Sequence, residues 1–302
     1  MIDVIVIGGG TAGLTAALYL ARAGKSVSVF ESGAFGGQIV TSPKVENYPG
    51  IKEISGMDFA MGLLDQVSDL DVGFETDRIL SVHKGEDGTF TLVGEADTYN
   101  SRAVIVATGA KCRDLGIENE GKYVGEGVSY CALCDGAFFK GKTVAVVGGG
   151  NSALEEVEYL AGICAKVYLI HRREGFRAES AVVERVKALS NVEMKLNRTV
   201  RALSGEGSLN SINLASTAGE ADLTLPVDGL FVSIGRVPDT ECVKNFVALD
   251  DGGYVVAGED CKTEIAGLFA AGDCRTKAVR QLATATADGA TSAVKAMEYL
   301  DK

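Results

Sequence analysis

Ile2-Asp3-Val4-Ile5-Val6-Ile7 runs straight into Gly8-Gly9-Gly10-Thr11-Ala12-Gly13, and Thr143-Val144-Ala145-Val146-Val147 runs into Gly148-Gly149-Gly150-Asn151-Ser152-Ala153. Each stretch reads as an apolar strand, a tight glycine turn and the start of a helix. The first motif glycine (Gly8, Gly148) permits the sharp turn. The second (Gly10, Gly150) lets the backbone approach a pyrophosphate. The third position (Gly13, Ala153) must be small for helix to pack on strand. Phosphates then lie at a helix N-terminus, where unpaired N–H groups and the helix dipole favour negative charge. One such turn is a weak signal; two in the same context, 140 residues apart, predict an α/β chain with two Rossmann-like units.

The two copies differ at the residue that ends their second strand. Counting 23 from the first glycine lands on Glu31 after Ser26-Val27-Ser28-Val29-Phe30, and on His171 after Lys166-Val167-Tyr168-Leu169-Ile170. A carboxylate at that position accepts hydrogen bonds from both hydroxyls of an adenosine ribose and repels a 2′-phosphate, which suits FAD or NAD. His171-Arg172-Arg173, with Arg177 close behind, supplies fixed positive charge and forked donors matched to a phosphate. Against the plainer reading of a solvated basic turn, the contrast assigns FAD to the first unit and NADPH to the second.

Tyr130-Cys131-Ala132-Leu133-Cys134-Asp135-Gly136 places a C-x-x-C pair fourteen residues before Gly148. A two-electron dithiol therefore sits on the unit that binds the electron donor. Of seven cysteines, Cys112, Cys164, Cys242, Cys261 and Cys274 are scattered and read as small buried hydrophobes. A zinc site would want a second C-x-x-C or paired histidines. The chain has only His83 and His171, so no metal is expected.

Composition narrows the class. The 302 residues are 46% hydrophobic and 23% charged, enough to bury more than one core. A net charge of −12 would repel nucleic acid and anionic membranes, leaving the arginines to a local phosphate site. The N-terminus enters a strand at once without a signal peptide, and no apolar run approaches the roughly 18 residues needed to span a bilayer. A cytoplasmic protein is expected.

Along the chain, a helix is expected near Met57–Val67 and antiparallel strands near Arg78–His83 and Thr89–Val93, before a return strand Ala103–Ala107 ending in Thr108-Gly109. From about Lys111 to Asp239 the plan repeats, with a ribbon near Val192–Leu214 and a return strand Gly229–Gly235. The remainder carries a hairpin near Tyr254, Gly267–Asp273 and an alanine-rich helix beginning near Arg280. It is too short to be a domain and should pack on the first unit. The expected plan is a discontinuous FAD-binding domain (1–110 and 240–302) with an NADPH-binding domain (111–239) inserted, both of three-layer ββα type.

In order, these features are the FAD turn, Gly37-Gln38, Glu46-Asn47-Tyr48-Pro49-Gly50, Ala107-Thr108-Gly109, Cys131-x-x-Cys134-Asp135-Gly136, the NADPH turn, His171-Arg172-Arg173-x-x-Phe176-Arg177, Gly272-Asp273 and Arg280-Gln281. The combination resembles the low-molecular-weight bacterial thioredoxin reductases across nearly the whole chain. In the related glutathione reductase type the active cysteines follow the first turn as C-x-x-x-x-C; here that region has none until Cys112.

The resemblance implies an NADPH-dependent thioredoxin-disulfide reductase, a homodimer acting on thioredoxin. It implies an FAD shell of Gly8, Gly10, Thr11, Ala12, Gly13, Glu31, Gly37, Gln38, Asn47, Thr108, Gly109 and Asp273, with Arg280, Gln281 and Leu282 beside the flavin at the start of the last helix. NADPH would contact Gly148, Gly150, Asn151, Ser152, Ala153, His171, Arg172, Arg173 and Arg177, and Glu155 is a further candidate. Reduced flavin would reduce the disulfide through Cys134, leaving Cys131 to attack thioredoxin, with Asp135 as the acid-base group. A helix N-terminus of the kind C-x-x-C pairs often occupy would favour the thiolate. Because nicotinamide and dithiol share one module, it implies rotation of residues about 111–239 through hinges near Lys111-Cys112-Arg113 and Arg236-Val237-Pro238-Asp239.

Many members of the family carry threonine where this chain has Leu133, which bears on the redox potential. A reductase of another carrier would add an N-terminal thioredoxin-like extension, and a ferredoxin-linked variant would lack the NADPH motifs. A regulatory sensor would not need the intact dithiol.

Overall fold

The apolar runs become parallel strands. In the computed structural model, which describes residues 1–302, Ile2–Ile7 lies between Val27–Glu31 and Thr98–Val106, parallel to both. Val4 to Ile7 are all buried, as in a strand covered on both faces, which reads as a continuous apolar run. Val72–Thr76 adds outside Val27–Glu31, and Leu268–Ala270 adds beside Thr98–Val106.

The outer half of Thr98–Val106 turns to a different partner. It pairs antiparallel with Phe90–Gly94, which pairs with Ile79–Lys84. In Phe90–Gly94 buried and half-buried residues alternate, the period-two pattern of a ribbon packed on one side.

Six α-helices accompany these strands: α1 (Thr11–Arg22), α2 (Gly56–Ser68), α3 (Ala132–Asp135), α4 (Asn151–Ala161), α5 (Ser180–Lys187) and α6 (Leu282–Leu300). The chain divides into two compact units, Met1–Lys111 with Val237–Lys302, and Cys112–Arg236. In the first, Val4, Val6, Leu14, Leu20, Val29 and Ile105 form a core on the face covered by α1 and α6. Ile5, Ile7, Phe30, Phe90, Leu92 and Val104 form another on the ribbon face. Helix α6 lies so close along α1 that a Cβ on Gly289 would stand 2.4 Å from the Ala12 carbonyl oxygen.

The second unit repeats the arrangement. Thr143–Gly148 lies parallel between Lys166–His171 and Gly229–Ser233, with Val192–Leu196 and Val128–Ser129 at the two edges. Val144, Val146, Leu154, Val157, Leu160 and Leu169 fill one face with Ala132 of α3. Tyr123, Ala145, Ile170, Ile212 and Leu230 fill the other. Each unit is thus helix, parallel sheet and antiparallel ribbon, the layered α/β class expected.

Three local expectations are corrected. Val192–Leu196 belongs to the parallel sheet, and the ribbon consists of Arg198–Ser204, Ser211–Ser216 and Leu223–Pro226. The hairpin near Tyr254 is a single antiparallel bridge, Leu249 to Val255, around a turn in which the Asp250 carboxylate accepts the Gly252 and Tyr254 N–H groups at 2.9 Å each. The last helix begins at Leu282 rather than Arg280. Gln281 is its N-cap and donates its N–H to Thr284 Oγ1 at 3.1 Å, one half of a reciprocal cap.

Candidate active site

The first glycine turn is held by close approach. Gly8 has φ +109 and donates its N–H to the Phe30 carbonyl at 2.7 Å. A Cβ on Gly13 would stand 1.9 Å from the Gly8 carbonyl oxygen, so the third motif glycine is obligatory. Gly10 is the N-cap of α1 and supplies no side-chain cap. The first N–H to bond within the helix is that of Leu14, to the Gly10 carbonyl. The donors of Thr11, Ala12 and Gly13 therefore face outward, a cradle for an anion.

Other expected residues gather at this helix end. The Glu31 carboxylate accepts the Gly9 and Gly33 N–H groups at 2.9 Å each, which fixes it beside the turn. Gly36 bridges to Gly10, and a Cβ on Gly37 would lie 2.8 Å from the Gly10 Cα. Next to Gly37, the Gln38 amide donates to the Ala110 carbonyl, close to Thr108 and Gly109. Gly272 packs on Ala12, with room for no more than 2.9 Å between an added Cβ and the Ala12 methyl, so Asp273 follows at the same end.

Asn47 donates to Gln281 Oε1 at 3.1 Å, which joins the Glu46–Gly50 loop to the start of α6. Arg280 stacks over the Tyr254 ring at 4.1 Å and donates to the carbonyls of Asp273, Arg275 and Lys277. Its guanidinium is used to build the loop that precedes Leu282.

Behind that loop lies a buried ionic cluster that sequence reading missed. Asp288 accepts two hydrogen bonds from Arg275 and one from Lys277, all at 2.8 Å, and one from the Gly272 N–H at 2.9 Å. Burial alone would raise its pKa, but the Arg275 and Lys277 hydrogen bonds prevail and hold the carboxyl below its usual range.

The second turn has a different floor. A Cβ on Gly148 would lie 2.4 Å from both the Ala153 methyl and the Ser233 carbonyl oxygen, and one on Gly149 would lie 2.1 Å from the His171 ring. His171 is buried, stacks on Phe176 at 5.0 Å and has Nε2 3.1 Å from the Gly175 carbonyl. Burial lowers its pKa below the usual imidazole value, which disfavours a fixed charge on this ring. Its ring packs beneath the turn, against Gly149 and Phe176.

The charge comes from its neighbours. Arg172, Arg173 and Arg177 are exposed, and the Arg177 N–H donates to the Gly149 carbonyl at 2.8 Å, which folds the arginine loop back on the turn. Gly150 caps α4 without a side-chain hydrogen bond, so the N–H groups of Asn151, Ser152 and Ala153 face outward as in α1. The Asn151 side chain is occupied by Glu179, accepting its N–H at 2.8 Å and donating to Oε1 at 3.3 Å.

Cys131 and Cys134 form a disulfide. Cys131 is the N-cap of α3, and its Sγ accepts the Cys134 N–H at 3.2 Å, a donor that favours negative charge on that sulfur. The Ser129 hydroxyl donates to Asp135 Oδ2 at 2.6 Å and accepts the Cys131 N–H at 3.1 Å. Burial raises the Asp135 pKa, opposed by the Ser129 hydrogen bond, so this carboxyl keeps its proton to higher pH than an ordinary aspartate. Tyr130, before the pair, donates to Glu120 at 3.0 Å. Ser129, Glu120 and a second half-buried carboxyl, Glu156, were not singled out from sequence; the adjacent Glu155-Glu156 on a helix facing the dithiol was the only available signal.

Residues 2–289 match the pyridine nucleotide-disulphide oxidoreductase family. The chain is 41% identical to thioredoxin reductase of Listeria innocua over 301 residues, covering 99% of this chain and 94% of that protein. It is equally identical to that of Helicobacter pylori over 309 residues, covering 100% and 99%. The crystal structure of thioredoxin reductase from Streptococcus pyogenes MGAS5005 superposes with a TM-score of 0.96 at 36% identity, covering 100% of this chain and 98% of that one. Two uncapped glycine turns, a dithiol on the second unit and similarity over the full chain agree: the chain belongs to the pyridine nucleotide-disulphide oxidoreductases and lies among relatives named thioredoxin reductase.

Proposed function

We propose that this chain is a thioredoxin reductase that moves electrons from NADPH through FAD to the Cys131–Cys134 disulfide and on to oxidised thioredoxin. The observation that carries the reading is a disulfide at the N-cap of a short helix, in the same unit as the second nucleotide turn. The relatives' shared name supports the choice of acceptor. Cytoplasmic location and a homodimer belong to the same reading, and no helix is long and apolar enough to cross a membrane.

The residues fit the two groups. The outward N–H donors of α1, with Gly8, Gly10, Thr11, Ala12 and Gly13, would take the FAD diphosphate, and Glu31 its ribose. Gly37, Gln38, Asn47, Thr108, Gly109, Asp273, Arg280, Gln281 and Leu282 would line the rest. The α4 donors with Gly148, Gly150, Asn151, Ser152 and Ala153 would take the NADPH diphosphate. Arg172, Arg173 and Arg177 would take its 2′-phosphate, over the His171 floor. When bound, a flavin accepts a hydride from a reduced nicotinamide and can reduce a disulfide.

The chain's own chemistry follows. In the reduced form the Cys131 thiolate attacks a sulfur of the thioredoxin disulfide, and the displaced thioredoxin sulfur takes a proton held at the Asp135 carboxyl. Cys134 then attacks the mixed disulfide at Cys131, which re-forms Cys131–Cys134 and releases thioredoxin with two thiols. Nicotinamide and dithiol sit on one unit and both must serve one flavin. The reading therefore includes rotation through residues 111–113 and 236–239, and a cross-link that immobilises these connections should stop thioredoxin turnover while sparing one half-reaction.

The defining test is a purified yellow protein bleached by NADPH that turns over with thioredoxin; Cys131→Ser and Cys134→Ser should keep the bleaching and lose the turnover. A colourless protein unable to retain flavin would refute the reading. Replacing Arg172, Arg173 and Arg177 with Ala should raise the NADPH KM about tenfold or more, since charge-assisted hydrogen bonds are lost, and leave the KM for NADH unchanged. Thioredoxin reduction should decline as pH rises through the elevated Asp135 pKa, because the acid loses its proton. Asp135→Asn should lower the rate about a hundredfold or more and abolish that limb of the profile.

A further inference from the structure

Ser129 joins the acid to the nucleophile through a single oxygen. It is 5% exposed and ends the short strand Val128–Ser129, which runs parallel to Gly229–Ser233 with Ser129 opposite Phe231. Its hydroxyl donates to Asp135 Oδ2 at 2.6 Å, and the same oxygen accepts the Cys131 N–H at 3.1 Å. The Asp135 N–H donates to the Cys131 carbonyl at 3.1 Å. Residues 129, 131 and 135 are thus closed into a ring of hydrogen bonds, and the sheet holds one corner of it. Of the two carboxyl oxygens, the ring engages Oδ2.

We propose that Ser129 is a positioning residue for the acid of the dithiol: by holding Oδ2 it leaves Oδ1 to carry the proton, at a fixed place relative to the Cys131 backbone. The inference rests on the disulfide-reductase reading above and deepens its proton step. The Cys131 thiolate bonds to one thioredoxin sulfur. The thioredoxin S–S bond breaks with its electron pair on the other sulfur, which takes the proton from Oδ1. Ser129 then donates to the ionised carboxyl left behind. Cys134 gives its thiol proton to that carboxylate and attacks Cys131 Sγ; the first thioredoxin sulfur leaves with the electron pair and takes this proton. Two electrons and two protons have passed to thioredoxin, and the Cys131–Cys134 bond is restored. The proton that Asp135 has lost returns from solvent when NADPH next reduces the pair.

The surroundings suit the assignment. The Ser129 donor favours the ionised carboxyl and so opposes the burial that raises its pKa. The other titratable groups around Asp135 are the two thiols of α3, Tyr130, whose hydroxyl is committed to Glu120 at 3.0 Å, and Glu155, Glu156 and Tyr159 of α4. Glu158 of α4 is turned to Arg185 at 2.7 Å. The turn Gly136–Phe139 and the strand Gly229–Ser233 carry no ionisable side chain, and Lys140 after the turn is exposed. The side chain that hydrogen-bonds the carboxyl is Ser129, so removing its hydroxyl raises the pKa further.

The experiment compares Ser129→Ala and Ser129→Thr with wild type, all flavin-loaded. In Ser129→Ala, thioredoxin reduction should fall about fivefold or more at pH 7, and its decline at high pH should move up by about half a unit or more. Ser129→Thr keeps the hydroxyl and should keep the wild-type profile. An infrared titration of the Asp135 carboxyl in the oxidised enzyme, identified by its loss in Asp135→Asn, should show the same upward shift in Ser129→Ala and needs no acceptor. An unmoved carboxyl titration in Ser129→Ala, a rate equal to wild type at every pH, or a Ser129→Thr titration displaced as far as that of Ser129→Ala would each overturn the proposal. A wild-type enzyme that reduces no thioredoxin, with the hydroxyl-dependent titration intact, would instead overturn the reductase reading and leave the coupling of Ser129 to Asp135 in place.

Discussion

Two helices that begin on glycine govern the rest of this molecule. A helix leaves its first N–H groups without partners, and most helices fill them with a serine, threonine or aspartate side chain. Helices α1 and α4 do not; Gly10 and Gly150 cap them with backbone alone. The uncompensated donors are tolerable because a ligand phosphate can satisfy them. Everything nearby then has to be small or carefully tied, which explains the contacts at Gly13, Gly37, Gly148 and Gly149 that no side chain could survive.

The same constraint separates the two units chemically. At the first turn a carboxylate accepts the turn's own N–H groups. At the second, the buried ring of His171, its pKa lowered by burial, fills the equivalent register and exposed charge is carried by three arginines. One architecture thus presents an acceptor in one copy and cations in the other.

Much of this was legible in the chain because it is local. Strand, glycine turn and helix follow one another in sequence, and the register from Gly8 to Glu31 and from Gly148 to His171 can be counted. What escaped was set by tertiary contact. Val72–Thr76 carries Gly73, Glu75 and Thr76 at a sheet edge, so it lacks the apolar signature of its neighbours. Val-Glu-Met-Lys-Leu at 192–196 alternates like a ribbon strand, yet it pairs parallel with Lys166–His171. The burial of His171 depends on Phe176 and Gly149 closing over it. Asp288 lies on a helix whose pattern gives no hint of a buried carboxyl, because its partners, Arg275 and Lys277, come from outside that helix.

The cluster around Asp288 has a bearing on how the first unit responds to its medium. Arg275 is 1% and Asp288 5% exposed, so mobile ions cannot enter between them, and screening of the kind that weakens surface pairs within about 8 Å at physiological ionic strength does not reach it. The loop that carries Asp273 is therefore anchored by an attraction that added salt leaves intact, whereas the exposed arginines of the second unit sit in full view of every counterion. The two glycine turns of one chain should accordingly differ in kind, one backed by an anchor insensitive to electrolyte and the other flanked by charges tuned by it.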